Sequence, residues 1–278
     1  MSDKGAINGG YAITGMMRRL AYITLNVLML MLIPLGSPSG AVPPPSGAEE
    51  LNVREWEALW TGVLKRNVDD AGRIDFAALR KDHADLDRVV AFVAAVDPIS
   101  QPQRFPDRAS RLAFYINAYN ALAMHGIVDV GIPQSLGRLT KVSFFYLRKF
   151  VVGGKSISLY DLENDVIRPL GEERIHFALN CMVLSCPRLP RAAFRADALD
   201  RELDAAAHLF IEEHRNVSVD PARREVWLSA IFDFYTRDFL NRAPSLIAYV
   251  NRYRAEPIPV DFKVRFFDYD WTVNKARS

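Results

Sequence analysis

Both cysteines of the chain fall in one stretch, HFALNCMVLSCPRLP at 176–190, which opens on His176. Cys181 and Cys186 are separated by four residues, and Pro187 follows directly. Three chemistries use such residues. A nucleophilic thiolate needs a base and a group to orient that base. A disulfide needs the two Cα atoms within roughly 7 Å. Zinc needs three or four ligands, usually in close pairs.

Spacing limits each of them. In a continuous helix, five residues rise about 7.5 Å and rotate the side chain about 140°. A bridge therefore requires the helix to end before Cys186, and Pro187 favours that by biasing Cys186 out of the helical region. His176 and Cys181 face apart in a helix, and also in a strand, where an odd offset puts side chains on opposite faces. They meet only if the backbone kinks just ahead of Cys181, for example where a strand HFALN breaks into a turn or helix. For a metal, His176, Cys181 and Cys186 make three ligands only with a sharp bend. His208 and His214 lie six apart on different helix faces, so no metal or cofactor is assigned.

The catalytic reading takes Cys181 as nucleophile and His176 as base, with His125 as the substitute base. Glu163 would orient the imidazole, and Asn117 would donate to a developing oxyanion. Cys186 would be a second thiol, and Asn120 and Asn180 supporting polar groups. Each has a plainer alternative. Asn117 and Asn120 would bond the backbone of a neighbouring loop, Glu163 would pair with Arg168 or Arg111, and Cys181 would be a small core residue. Unpaired buried polar groups cost a few kcal/mol each, so the set is expected to converge on one network.

The elements that position these residues follow from periodicity. Val53, Trp56, Leu59, Trp60 and Leu64 repeat at helical spacing. DDAGRIDFAALR turns at Gly72 and enters a second helix, whose stripe Leu79, Leu86, Val89, Val90 and Phe92 runs until Pro98. Residues 110–131 are apolar nearly all round, which predicts a buried central helix carrying Asn117, Asn120 and His125. KFVVGGKSISL reads as a hairpin about Gly153–Gly154, followed by a short helix capped by Ser158. Residues 198–213 form an amphipathic helix with Leu199, Leu203, Ala206, Leu209 and Phe210. VSVDPARREVWLS is a second hairpin, AIFDFYTRDFL and SLIAYVNRY are short helices, and PVDFKVRFFDYDW is extended. Helices interspersed with hairpins predict α+β, a single mainly helical domain with hairpins packed against the central helix.

The 278 residues are 50% hydrophobic, enough for one large domain or two small ones. Lys+Arg 35 against Asp+Glu 33 leaves +2, which gives no reason to expect nucleic acid. Arg223–Arg224 and Lys275–Arg277 read as solvated ends. At the N-terminus, Arg18 and Arg19 precede a 17-residue apolar run and small residues at Ser39 and Ala41. That pattern predicts a signal peptide over 1–41, a linker over 42–50 and the domain over 51–278. The alternative is an uncleaved anchor, because about 17 residues is the low edge of a spanning helix. The chain is expected to be periplasmic or secreted, with membrane association only through this segment.

Five blocks, LAFYINAYNAL, SLYDLENDVIR, HFALNCMVLSCPRL, LSAIFDFYTRDF and VRFFDYDWTVN, resemble in sequence and order the family of domain of unknown function 547, over about residues 55–275. The resemblance implies an α+β domain, often exported from bacteria, without an established activity. This chain departs at Tyr115, where the family usually has Trp, and at Met182, where it usually has Gly. It also implies a role for Cys181 beyond pairing, since the second cysteine position is a serine in some members. The leading functional expectation is an exported cysteine-dependent hydrolase or acyl transferase acting on a peptide or amide. A non-enzymatic envelope domain with bridged or inert thiols is the alternative, and thiol–disulfide redox chemistry the third.

Overall fold

The computed structural model describes residues 51–276, so the leader and the linker at 42–50 lie outside the described residues. Asn52 opens helix α1 (Val53–Asn67) with a capping box, its side chain accepting from the Glu55 amide while Glu55 accepts from the Asn52 amide. Buried Trp56 donates its indole N–H to the Val89 carbonyl at 3.1 Å, which ties α1 to α3. The single helix expected between Phe76 and Pro98 is two, α2 (Phe76–Lys81) and α3 (Ala84–Ala95). Asp82 is extended, and its carboxylate accepts from the Ala84 amide at 3.2 Å. A short polar side chain here outcompetes the helical ladder.

Asp107 and Ser110 cap the 22-residue α4 (Arg108–Asp129), which is buried on every side as its composition requires. Helix α5 (Arg138–Val142) widens into a π-helical turn at Ser143–Leu147. Strands β1 (Phe150–Val152) and β2 (Lys155–Ile157) pair antiparallel around Gly153–Gly154. Both glycines have positive φ, +55° and +77°, as a two-residue hairpin turn needs. Ser158 caps α6 (Leu159–Asp161), which also widens into a π turn at Leu162–Ile167 and then tightens into 3₁₀ turns at Arg168–Leu170 and Glu173–Phe177.

Helix α7 (Leu199–Glu212) buries Leu199, Leu203 and Phe210 but leaves Leu209 about half exposed. Strands β3 (Val217–Asp220) and β4 (Glu225–Leu228) form the second hairpin, and β5 (Lys263–Phe266) joins β4 in parallel. Between them lie α8 (Ala230–Phe234), α9 (Thr236–Leu240) and α10 (Leu246–Val250). The fold is α+β, mainly helical, as expected.

Two apolar clusters fill it. One surrounds α4; the other gathers Phe210, Phe232, Phe239 and Tyr249. Ile175 and Ala178 belong to the first and Phe177 to the second, so the chain leading to the cysteines runs between the two. The C-terminal residues form a strap over this junction, with bridges Val183↔Val273 and Ile74↔Lys275 and a bond from the Asn274 amide to the Met182 carbonyl.

Candidate functional site, a thiol pair walled by tyrosines

The kink that the chemistry requires ahead of Cys181 exists, although it follows a 3₁₀ turn rather than a strand. Its cause is a ladder of buried asparagines. Asn120 on α4 donates to the Ala178 carbonyl at 2.9 Å and accepts from the Asn180 amide at 2.8 Å. Asn180 in turn donates to the Pro187 carbonyl at 2.6 Å and accepts from the Met182 amide at 2.7 Å. Each asparagine satisfies one donor and one acceptor of a chain that has left regular structure. Asn120 sets the entry to the loop; Asn180 closes the loop upon itself.

The closure forces Met182 to φ +67°, in the left-handed region where L-residues with a side chain are disfavoured. Glycine would adopt this φ without a steric cost, and the tight turn forms with Met nonetheless. With the backbone turned back, the two sulfurs lie 2.6 Å apart as free thiols. The Cys181 amide donates to Cys186 Sγ at 3.0 Å, and the Tyr269 hydroxyl sits 3.4 Å from Cys186 Sγ and 3.5 Å from Cys181 Sγ. Cys186 is buried, whereas Cys181 is partly exposed.

Electrostatics divides the pair. Burial opposes a charge on Cys186, yet the Cys181 thiol, the Tyr269 hydroxyl and the amides of Val183 and Cys181 outweigh it and hold its thiol below the usual range. Cys181 is pushed up, first by donating to Cys186 and then by burial. Of the two sulfurs, Cys186 is therefore the one favoured to give up its proton first. Tyr269 is itself pushed up by burial and by the two sulfurs, so it remains a hydrogen-bond donor.

Glu163 stands on the π turn at Leu162–Ile167 and is buried. It accepts from the Tyr119 hydroxyl at 3.3 Å, and its charge with burial raises both Tyr119 and Tyr235. It pairs with neither arginine considered for it. Arg168 goes to Asp238 at 2.8 Å and to Asn164, and Arg111 goes to the Asp107 carbonyl.

Three roles read from the sequence need correction. His176 does not serve Cys181: its Nε2 lies 2.9 Å from Asp238 Oδ2, and its ring is stacked at 3.7 Å on Tyr235 with Phe239 at its edge. Among the described residues no hydrogen bond joins an imidazole to either sulfur. Asn117 is turned to a different loop, donating to the Phe194 carbonyl at 2.8 Å and accepting from the Phe194 amide at 2.9 Å. His125 has both nitrogens turned to carboxylates, Nε2 to Asp87 at 3.1 Å and Nδ1 to Asp129 at 3.2 Å. Asp238 is held far below the usual carboxylate range; burial opposes this, but His176 and Arg168 outweigh it.

The structure therefore brings together Cys181, Cys186, Asn120, Asn180 and Glu163, and leaves Asn117, His125 and His176 in other networks. Tyr119, Tyr235, Tyr269 and Asp238 escaped the sequence reading, although each stands in a block that carries the family resemblance. Among the described residues no group of three or more His, Cys, Asp or Glu is arranged to hold a metal ion, and no helix is long and apolar enough to cross a membrane.

No curated protein and no solved structure matches the chain. Residues 102–211 match the sequence model of a family described as protein of unknown function, DUF547. That span holds Tyr119, Glu163 and both cysteines, and stops short of Tyr235, Asp238 and Tyr269. Over this segment the chain is similar to the domain of unknown function 547 family.

Proposed function

We propose that the Cys181–Cys186 pair carries out thiol–disulfide exchange with a thiol-bearing peptide or small molecule. The carrying observation is the asymmetry of the pair: two sulfurs 2.6 Å apart, one partly exposed, the other buried and held as the better thiolate. Exchange rates rise with the accessibility of the attacked sulfur and with the acidity of the departing thiol. Both conditions point the same way. In the disulfide form, an incoming thiolate attacks the exposed Cys181 sulfur, the Cys181–Cys186 bond breaks, and its electron pair leaves on Cys186. The Tyr269 hydroxyl and the Cys181 amide receive that charge. A second thiolate of the partner then attacks the mixed disulfide and releases Cys181, which takes up a proton. Two electrons pass from the partner dithiol to the pair, and the reverse sequence reduces a partner disulfide.

The four-residue spacing differs from the two-residue spacing of common redox motifs, but the asparagine ladder turns the chain back so that the two sulfurs meet. A hydrolase built on Cys181 and His176 is less well supported, because His176 is engaged by Asp238 and Tyr235. The arginine-led apolar leader supports an exported location, where a pair of this type would meet other thiols.

The test is equilibration of the full chain against glutathione buffers of graded oxidation, followed by alkylation and mass analysis of the 176–190 segment. A reversible loss of two alkylatable thiols, with one midpoint, is expected. Two thiols that stay alkylatable in fully oxidised glutathione would refute exchange, and a bond that resists reduction in the folded state would assign the pair to a structural staple.

A further inference from the structure

From 131 to 160 the sequence contains Arg138, Lys141, Arg148, Lys149 and Lys155 and not one Asp or Glu. In a chain whose charges otherwise nearly balance, a 30-residue stretch of single sign sets a local field. The same stretch exposes apolar side chains. Leu139 is 83% and Leu147 68% exposed, with Val142, Tyr146, Val151 and Tyr160 between 42% and 47%. These are six of the fourteen large apolar side chains exposed among the described residues.

The fold gathers them. Leu139, Val142 and Tyr146 recur at i, i+3 and i+7 along α5 and its π turn, which puts them on one side. Tyr146 stacks on Tyr160 at 4.4 Å, carrying the surface on to α6, and Val151 points outward between buried Phe150 and Val152. Phe144 and Phe145 bury the opposite side, so the exposed one is held firmly. Some of the positive charge is met, Arg148 by Asp129, Lys149 by Asp161 and, at 3.7 Å, Lys155 by Asp97. Arg138 has no ion pair among the described residues, and Lys141 lies over the Trp271 ring at 4.3 Å, which leaves its charge uncompensated.

We propose that this face, built from α5, its π turn and the β1–β2 hairpin, docks on the surface of an anionic lipid bilayer. Aromatic and aliphatic side chains flanked by basic ones suit the boundary between headgroup and acyl chain, with the cations reaching the lipid phosphates. Among candidate occupants an anionic bilayer matches both the sign of the charge and the apolar exposure. The inference stands apart from the thiol chemistry, and it places membrane contact on the folded domain as well as on the N-terminal segment.

Flotation of the full chain tests it, using vesicles of equimolar phosphatidylglycerol and phosphatidylcholine against phosphatidylcholine alone. The chain should prefer the anionic vesicles, and the preference should fade as salt rises. Leu139→Glu with Leu147→Glu should weaken binding at least about tenfold, since two exposed apolar anchors are lost. Arg138→Gln with Lys141→Gln should weaken it about fivefold per charge and flatten the salt dependence. Val260→Glu, at a residue 74% exposed elsewhere on the molecule, should change nothing. Equal flotation of the wild type and both double variants would overturn the proposal and assign any binding to the leader. So would a dimer in vesicle-free solution that Leu139→Glu with Leu147→Glu dissociates, because the face would then belong to a second copy.

Discussion

The thiol pair and the chain of groups around His125 are assembled from similar material, yet they do opposite things with charge. Around His125 every charge meets its opposite. Asp87 receives His83 and His125, Asp129 receives His125 and Arg148, and all of them border solvent. Burial lowers the pKa of His125, but Asp129 and Asp87 outweigh it and raise it. Nothing is left to react. Around the sulfurs no cation among the described residues is within hydrogen-bonding distance, and the neighbouring donors are the Tyr269 hydroxyl and backbone amides, which keep their own protons. A charge stabilised by neutral donors can be created and removed without rearranging an ion network. Compensation marks a structural cluster here, and poised, uncompensated burial marks the site.

This contrast can be broken experimentally. The largest effect should come from Asn120→Ala, which strips partners from the buried Ala178 carbonyl and Asn180 amide. At about 1–3 kcal/mol per orphaned group, the loss should be roughly 2–5 kcal/mol in urea unfolding. The surviving fold should form its disulfide more slowly, since the loop is no longer held turned. Asp238→Asn should come next, at about 2 kcal/mol near neutral pH, because it leaves Arg168 and His176 without their carboxylate. A folded-state pKa depressed below the unfolded one stabilises above the unfolded value and loses that contribution as pH falls through the folded one. The gap between wild type and Asp238→Asn should therefore be full at pH 7 and shrink below the ordinary carboxylate range.

A gentler change sharpens the comparison at the sulfurs. Tyr269→Phe removes one hydrogen bond to the Cys186 thiolate, moves its titration upward, followed by thiolate absorbance, and should slow exchange roughly tenfold. The smallest effect belongs to His125→Gln. Its pKa is raised, so its contribution is fully present below the unfolded histidine value and is lost as pH rises through the folded one. About 1 kcal/mol should separate the variant from wild type at pH 5.5, with almost none left once the pH is well above the folded pKa.

Much of the fold was legible because its signals are local. Gly153–Gly154, the Ser158 cap and the all-round apolarity of α4 each act over a few residues, and each led to the correct element. The break at Asp82 is local too, but an unbroken apolar stripe masked it. At the site, the sequence revealed the ingredients and the need for a kink, and it missed the assignments. His176 and Cys181 are neighbours along the chain, and their separation is decided by Asp238, 62 residues away. Tyr269 reaches Cys181 from 88 residues away because the strap pairs Val273 with Val183. Periodicity carries no information about such partners. Asn117 and Asn120 share one helix turn and the same amide chemistry, and only the loop opposite each decides that one holds Phe194 and the other holds the cysteine turn.

The most direct measurement of the exchange mechanism compares Cys186→Ala with Cys181→Ala in oxidised glutathione, reading the mixed disulfide by intact mass. The asymmetric pair predicts that Cys186→Ala accumulates one glutathione on Cys181, because the thiol that would expel it is gone. Cys181→Ala should stay unmodified, its remaining sulfur being buried. Glutathione on neither variant, or on Cys186 in preference to Cys181, would contradict the assignment of Cys181 as the point of entry and Cys186 as the departing thiolate.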